Sequence, residues 1–297
     1  MNEFSKKLML IINPVAGRRE AEKNLAQIIR IFSDGGYLVS VFVTSKPGDC
    51  TEFIKLYGGG FDLIVCSGGD GTINEAITGL ICAGLYTPLG YIPSGSYNDF
   101  AEYQQLPRKI LDAARAIVSG SPHKLDAIKF SHRYFINAAD FGAFTWLPYT
   151  TSQHKKNSLG AYAYLLDGIK DLSKVKSHHL RLYANGGVFE GDYLFGIICN
   201  ASMLGGMLPG LGSIVQSDDG FFEVGMIRKP TSPLEFQETI IALKNEDLAS
   251  PRLTFFKASR MTIETDEPLD WSLDGELATG EEAVDLELLR SRITLIF

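Results

Sequence analysis

Ser67-Gly68-Gly69-Asp70-Gly71-Thr72-Ile73-Asn74-Glu75-Ala76 follows directly on the apolar run Phe61-Asp62-Leu63-Ile64-Val65-Cys66 and leads into a segment where Ile73, Ile77, Leu80 and Ile81 keep helical spacing. The order is strand, glycine turn, helix. A hairpin, which Asp-Gly otherwise favours, needs period-two alternation beyond the turn, and none is present. Glycines let the backbone bend through positive φ and approach a ligand closely. The helix start then points free N–H groups and the positive end of its dipole into the bend, which favours an anion. Thr72 and Glu75 match the Ser/Thr-x-x-Glu capping box and so predict where the helix begins. Neither Gly-x-x-x-x-Gly-Lys-Ser/Thr nor Gly-x-Gly-x-x-Gly occurs, so any phosphate is held by another glycine arrangement.

Working outward, the first 125 residues alternate strand and helix. Leu8–Ile12, Leu38–Thr44, Leu63–Cys66 and Leu89–Ile92 read as strands, with helices at Ala21–Phe32, at Asp49–Leu56 and after the glycine turn. Near-continuous apolar strands between helices imply a parallel sheet covered on both faces. Ligands then bind beyond the carboxyl ends of the strands. Four turn-rich segments fall there: Asn13-Pro14-Val15-Ala16-Gly17, Thr44, the glycine turn, and Pro93-Ser94-Gly95-Ser96-Tyr97-Asn98-Asp99. Each alone is an ordinary loop, but four at one sheet edge favour a site.

Beyond Lys124 the texture changes. Asp126–Phe130, Tyr134–Ala138, His179–Tyr183, Tyr193–Cys199, Phe221–Ile227 and Arg292–Phe297 read as short strands between turns, with one helix at Leu159–Leu172. That pattern predicts an antiparallel sandwich. The expected organisation is therefore two domains, an α/β unit over 1–125 and a β-sandwich over 126–297.

Composition sets the outer limits. In 297 residues, 45% hydrophobic and 21% charged, there is enough apolar material for two cores and no sign of extensive disorder. The net charge of -7 lacks the electrostatic footprint of a nucleic-acid binder. Cys50, Cys66, Cys82 and Cys199 show no zinc-ligand spacing, and a reducing cytoplasm is the simplest compartment. No apolar stretch reaches the roughly 18 residues of a membrane span.

Taken together, Asn13-Pro14-Val15-Ala16-Gly17, Gly69 to Glu75, Gly95-Ser96-Tyr97-Asn98-Asp99-Phe100-Ala101, Gly205-Gly206-Met207, Asp218-Asp219-Gly220-Phe221 and Asp274-Gly275-Glu276 resemble, in order, the motifs of the soluble diacylglycerol kinase family, which includes bacterial lipid kinases and the sphingosine and ceramide kinases. The Gly-Gly-Asp-Gly-Thr element alone is shared with NAD kinases. The resemblance implies a two-domain fold, an N-terminal parallel-sheet nucleotide-binding domain and a C-terminal antiparallel β-sandwich. It implies ATP-dependent phosphorylation of a hydroxyl on a diacylglycerol-like lipid. By it, Asn13, Pro14, Gly17, Thr44, Gly68, Gly69, Asp70, Gly71, Thr72, Asn74 and Ser96 would contact ATP. Asp70 and Asp99 would lie in an active-site Mg2+ network, and Glu276 would be the general base. Asp219, with the carbonyls of Gln216 and Phe221, would form a structural Mg2+ site.

The chemistry asks for these residue types. Phosphoryl transfer needs phosphate charge neutralised and the reacting oxygens aligned, and a carboxylate beside the acceptor hydroxyl takes its proton. From the residues alone, Asp219-Gly220 and Asp274-Gly275 are equally hairpin turns, and Asn98 and Asp99 equally helix caps. Two positions depart from the family pattern: Ser96 stands where threonine is usual, and Glu102 where arginine is common. His154-Lys155-Lys156 and the run Lys170, Lys174, Lys176, His178, His179, Arg181 could meet anionic headgroups, at about 1 kcal/mol per basic residue, or be a solvated face. Leu204–Leu211 could line a lipid entrance. The expected protein is cytoplasmic, touches a membrane surface peripherally, binds no nucleic acid and can form a homodimer. The alternatives are a soluble-substrate kinase of the NAD kinase type and a nucleotide- or lipid-binding regulator without turnover.

Overall fold

The computed structural model describes residues 6–142, 176–200, 220–245 and 247–297. The chain divides into two compact units, Met1–Ala127 with Arg290–Phe297, and Ile128–Leu289.

The first unit is built on the parallel strands β1 (Lys6–Ile12), β2 (Tyr37–Val43), β3 (Leu63–Gly68) and β4 (Leu89–Pro93). They lie in the order β4-β3-β1-β2, and the end of β15 (Ala283–Ile296) adds in parallel beside β4 through Leu295 and Leu89. β3 and β4 are buried throughout, as strands covered on both faces must be. The predicted helix over Ala21–Phe32 is two pieces, α1 (Glu20–Lys23) and α2 (Leu25–Asp34). They are broken at Asn24, whose side-chain amide donates to the Glu20 carbonyl at 2.7 Å. α3 (Asp49–Tyr57), α4 (Asp70–Cys82), α5 (Asp99–Tyr103) and α6 (Ile110–Ser119) complete the unit. α2 and α6 bury Ile28, Phe32, Ile110, Ala114 and Ile117 in one cluster with Leu8, Leu10, Leu63 and Ile92 of the strands. Each large side chain fully buried in this layer contributes about 1.5–3 kcal/mol by apolar transfer.

The second unit is antiparallel. β9 (Gly187–Cys199) organises it: its first half pairs with β8 (His178–Ala184), and its second half with β7 (Ala138–Gly142) on one side and β10 (Phe222–Arg228) on the other. β10 continues to β11 (Leu253–Ala258), β8 to β12 (Arg260–Thr265), and β12 to the first half of β15. β7 continues to β13 (Trp271–Leu273) and β14 (Glu276–Ala278), while the end of β5 (Pro122–Phe130) pairs with β6 (Arg133–Phe135). Phe135, Phe141, Tyr193, Phe222, Met261, Trp271 and Val284 meet in its core. The α/β unit and β-sandwich unit expected from sequence are thus present. The expected helix at Leu159–Leu172 lies outside the described residues. Two helices, α6 and α7 (Pro233–Lys244), stand where the sequence reading placed none; Ser232 caps α7 through the Glu235 N–H at 3.2 Å.

Candidate active site

In the first unit three of the four loops touch one another, and Thr44 lies at the end of the strand beside them. The Asn13 N–H, just past β1, donates to the Ser67 carbonyl of β3 at 2.9 Å, and its side-chain amide donates to Thr72 Oγ1 at 3.1 Å. Thr44, just past β2, donates its N–H to the Ile12 carbonyl at 2.9 Å. The Ser94 and Gly95 N–H groups, past β4, both donate to the Gly68 carbonyl, at 2.8 and 3.1 Å. Two glycines carry steric reasons. Gly17 has φ +51°, and a Cβ there would strike the Ser94 carbonyl; a Cβ on Gly95 would strike the backbone of Gly69. Main chain from three loops therefore lies too close for side chains, at the start of a 13-residue helix. Such a surface of backbone dipoles suits a phosphate chain.

Asp70 is the first residue of α4, and its Oδ1 accepts the Phe100 N–H of α5 at 2.9 Å. This bond ties the two helix starts together and brings Asp70 beside Asp99, the first residue of α5. Asn98 occupies the cap position of α5 with φ 60° but does not cap it. Its side chain instead closes the preceding loop, accepting from the Gly95 N–H at 2.8 Å and donating to the Gly95 carbonyl at 2.9 Å. Ser96 is exposed at the tip of that loop. Pro14, Asn74 and Gly71 are half-buried around the same turn. Glu102 is paired with Arg108 at 2.9 Å, so part of the acidity it adds is matched locally.

The capping box does not form. α4 starts at Asp70, with Gly69 as its cap, so Thr72 already lies inside the first turn. Its hydroxyl serves Asn13 instead. Glu75 reaches across to α3, where its carboxylate accepts the N–H groups of Gly48 at 2.8 Å and Cys50 at 3.2 Å. The carboxylate thus sits at the positive end of a neighbouring helix. Tyr91 was also missed: buried in β4, it donates its hydroxyl to the Gly68 carbonyl at 3.1 Å and holds the glycine turn from beneath. Burial together with the nearby charges of Asp70 and Asp99 raises its pKa far above the ordinary phenol value. An aromatic with a polar tip at the carboxyl end of a buried strand was the available signal.

The second unit holds Glu276, exposed as the first residue of β14. Asp274 and Gly275 make the preceding turn with φ 48° and 85°, the paired positive values of a type I′ hairpin. The Asp274 carboxylate accepts three backbone N–H groups, from Ile136 at 2.9 Å, Asn137 at 2.8 Å and Ala138 at 3.0 Å. The hairpin reading is therefore satisfied, and Asp274 anchors the turn that leads into Glu276. A cavity of about 620 Å³ opens beside this hairpin, lined by Lys176, His178, Leu269, Trp271, Ser272 and Leu277 among others. Burial and Lys176 lower the His178 pKa.

Of the metal-site residues, Gln216 and Asp219 lie outside the described residues, and Phe221 precedes β10. Among the described residues no group of three or more His, Cys, Asp or Glu side chains is placed to hold a metal. His154 to Lys156, Lys170, Lys174 and Leu204–Leu211 also lie outside them. His179 and Arg181, which do not, are engaged by Glu190, Asp192 and Asp266 at 2.9–3.4 Å, so their charge is matched on their own strand surface. Among the described residues no helix is long and apolar enough to cross a membrane. All four cysteines are free.

Residues 7–130 match the diacylglycerol kinase catalytic domain. The chain is 32% identical over 273 residues to a diacylglycerol kinase of Bacillus subtilis (strain 168), covering 91% of this chain and 90% of that protein. It is 30% identical over 272 residues to one from Staphylococcus aureus (strain MRSA252), covering 91% and 86%. A crystal structure described as a diacylglycerol kinase from Bacillus anthracis str. Sterne superposes with a TM-score of 0.72 over 98% of this chain and 97% of that one, at 24% identity, which speaks to the fold. With the motif series, the glycine turn and the two-unit fold in agreement, the chain belongs to the diacylglycerol kinase family of lipid kinases.

Proposed function

We propose that this protein transfers the γ-phosphoryl group of ATP to a hydroxyl of a diacylglycerol-like lipid. The observation that carries the reading is the junction of Gly68–Asp70, Ser94–Gly95 and Asn13–Gly17, where close-packed main chain meets the start of α4 and two carboxylates. Relatives named diacylglycerol kinase along nine-tenths of the chain support the acceptor class.

The residues divide the work. The backbone of Gly68–Thr72 and Gly95, with Asn13, Pro14, Gly17, Thr44, Asn74 and Ser96 around it, binds and orients the triphosphate, which lowers the entropic part of the barrier. Asp70 and Asp99 are hard oxygen donors on adjoining helix starts and fit Mg2+, which prefers few carboxylates and several waters. When bound, the ion supplies charge neutralisation of the phosphates. Glu276 removes the proton of the lipid hydroxyl as its oxygen attacks phosphorus. Asp219, with the carbonyls of Gln216 and Phe221, is assigned to a structural Mg2+ site.

Radiolabelled ATP with mixed micelles carrying a panel of neutral lipids, and in a parallel reaction with NAD, tests the assignment. Label entering a diacylglycerol-like lipid supports it. Label entering NAD instead would identify a soluble-substrate kinase, and ATP binding without any product a regulator.

A further inference from the structure

The chemistry just assigned makes no use of Asp140, yet the residue is 1% exposed in the middle of β7, within the otherwise apolar run Ala138-Ala139-Asp140-Phe141. Its register partner on β13 is Ser272, and the next residue, Leu273, pairs with Glu276 itself. On its other side Asp140 pairs with Ile197 of β9, which offers no polar atom in its side chain. The turn between β13 and β14 supplies Asp274, fastened to the segment that enters β7. The strand pair seating the Glu276 hairpin thus carries two acidic side chains of opposite circumstance. Asp274 is solvated by three N–H groups, whereas Asp140 has apolar β9 beside it and a hydroxyl opposite.

A second negative charge in that place is costly. Burial first, and then the charge of Asp274, push the Asp140 carboxyl up to about 8, with the Ser272 hydroxyl opposing the rise. Asp274 from the turn, Ser272 from β13 and Ile197 from β9 adjoin it, and farther along the same sheet face buried Glu223 of β10 is paired with Lys257 of β11 at 3.2 Å.

We propose that Asp140 is a positioning residue for Glu276: as an uncharged acid it keeps β7 paired with β13 and the catalytic hairpin seated, and its ionisation unseats that hairpin. The assignment of Glu276 as base comes from the proposed lipid kinase reaction, so the test has one arm that needs no substrate.

Trp271 lies next to Ser272, with its ring 4.9 Å from that of Phe141. Since the chain has 2 tryptophans, Trp146→Phe leaves Trp271 as the sole indole reporter. Its emission is followed in the protein alone from about pH 6 to about pH 10, a range that spans the titration of a strongly buried carboxyl. The expected result is one transition with its midpoint near pH 8, absent in Asp140→Asn and moved to higher pH in Ser272→Ala. In the second arm, kcat for lipid phosphorylation falls with the same midpoint while KM for ATP holds, and Asp140→Asn flattens that limb. A transition that survives in Asp140→Asn, an unmoved midpoint in Ser272→Ala, or no transition in the parent overturns the proposal; the serine variant keeps it testable if Asp140→Asn does not fold. If no lipid is phosphorylated at any pH while the emission still follows Asp140, the kinase assignment fails and the link from Asp140 to the hairpin stands.

Discussion

Single carboxylates in this protein do different work according to what reaches them. Asp274 accepts three N–H groups, and truncation would strand all three beside a broken turn. Asp274→Ala is therefore expected to cost about 3 kcal/mol, since bonds to charged acceptors contribute roughly 1.5–3 kcal/mol each and do not add fully. Urea unfolding measures the loss. Asp140 presents the reverse case. Its folded pKa is raised to about 8 from an ordinary value of 3.8, so the folded state holds a proton the unfolded chain has released. Its contribution to stability is complete below about pH 4, falls as pH rises, and is gone above about pH 8. Thermal melts of the wild type should accordingly decline across that window relative to Asp140→Asn, and parallel curves would contradict the assignment.

At the scale of elements, long side chains join what the backbone leaves apart. Arg292, from the returning end of β15, donates to the carbonyls of Leu80, Ile81 and Leu85 at 2.6–3.3 Å and lies over the Tyr86 ring at 4.4 Å. It satisfies the last turn of α4 with a cation where the helix dipole is negative. Arg292→Ala should cost about 2 kcal/mol, and Arg292→Lys most of that, because an ammonium cannot reproduce the fork. Equilibrium unfolding of the two variants distinguishes this from loss of charge alone. The glycine turn was legible because its strand and helix periods flank it unambiguously. The helix start was not: Thr72 and Glu75 carry the right spacing for a capping box, but tertiary partners, Asn13 and the start of α3, offer their side chains better bonds. For α7 the Ser232-Pro233-Leu234-Glu235 signal was present in sequence, whereas its apolar face is too weakly patterned to draw attention without it. Asp140 was illegible because nothing in sequence says which face of a short strand is sealed.

At the scale of the whole molecule, β15 shows how one strand belongs to two units. Its burial alternates at Val284, Leu286 and Leu288, as in a half-covered antiparallel sheet, then becomes continuous at Ile293, Thr294 and Leu295, as in a parallel one. Ser291 marks the change with φ 46°, its N–H held by Asp126 at 2.6 Å. The final strand was legible in its apolar run Ile293-Thr294-Leu295-Ile296, but its return to the first unit was not. Removal of residues 290–297 should therefore destabilise the first unit, through loss of Arg292, Leu295 beside Leu89, and Phe297 stacked on His123 at 4.3 Å. Nucleotide protection against proteolysis of residues 6–127 reads that effect directly. The proposed lipid kinase reaction, with roles for Asp70 and Glu276, is tested by one assay: phosphate transfer from ATP to diacylglycerol in mixed micelles with Mg2+, for wild type, Asp70→Ala and Glu276→Gln. Labelled lipid is expected from the wild type and a loss of at least about 100-fold in each variant, the scale of a general base or of phosphate charge neutralisation. Variants that label lipid as fast as the wild type would contradict it.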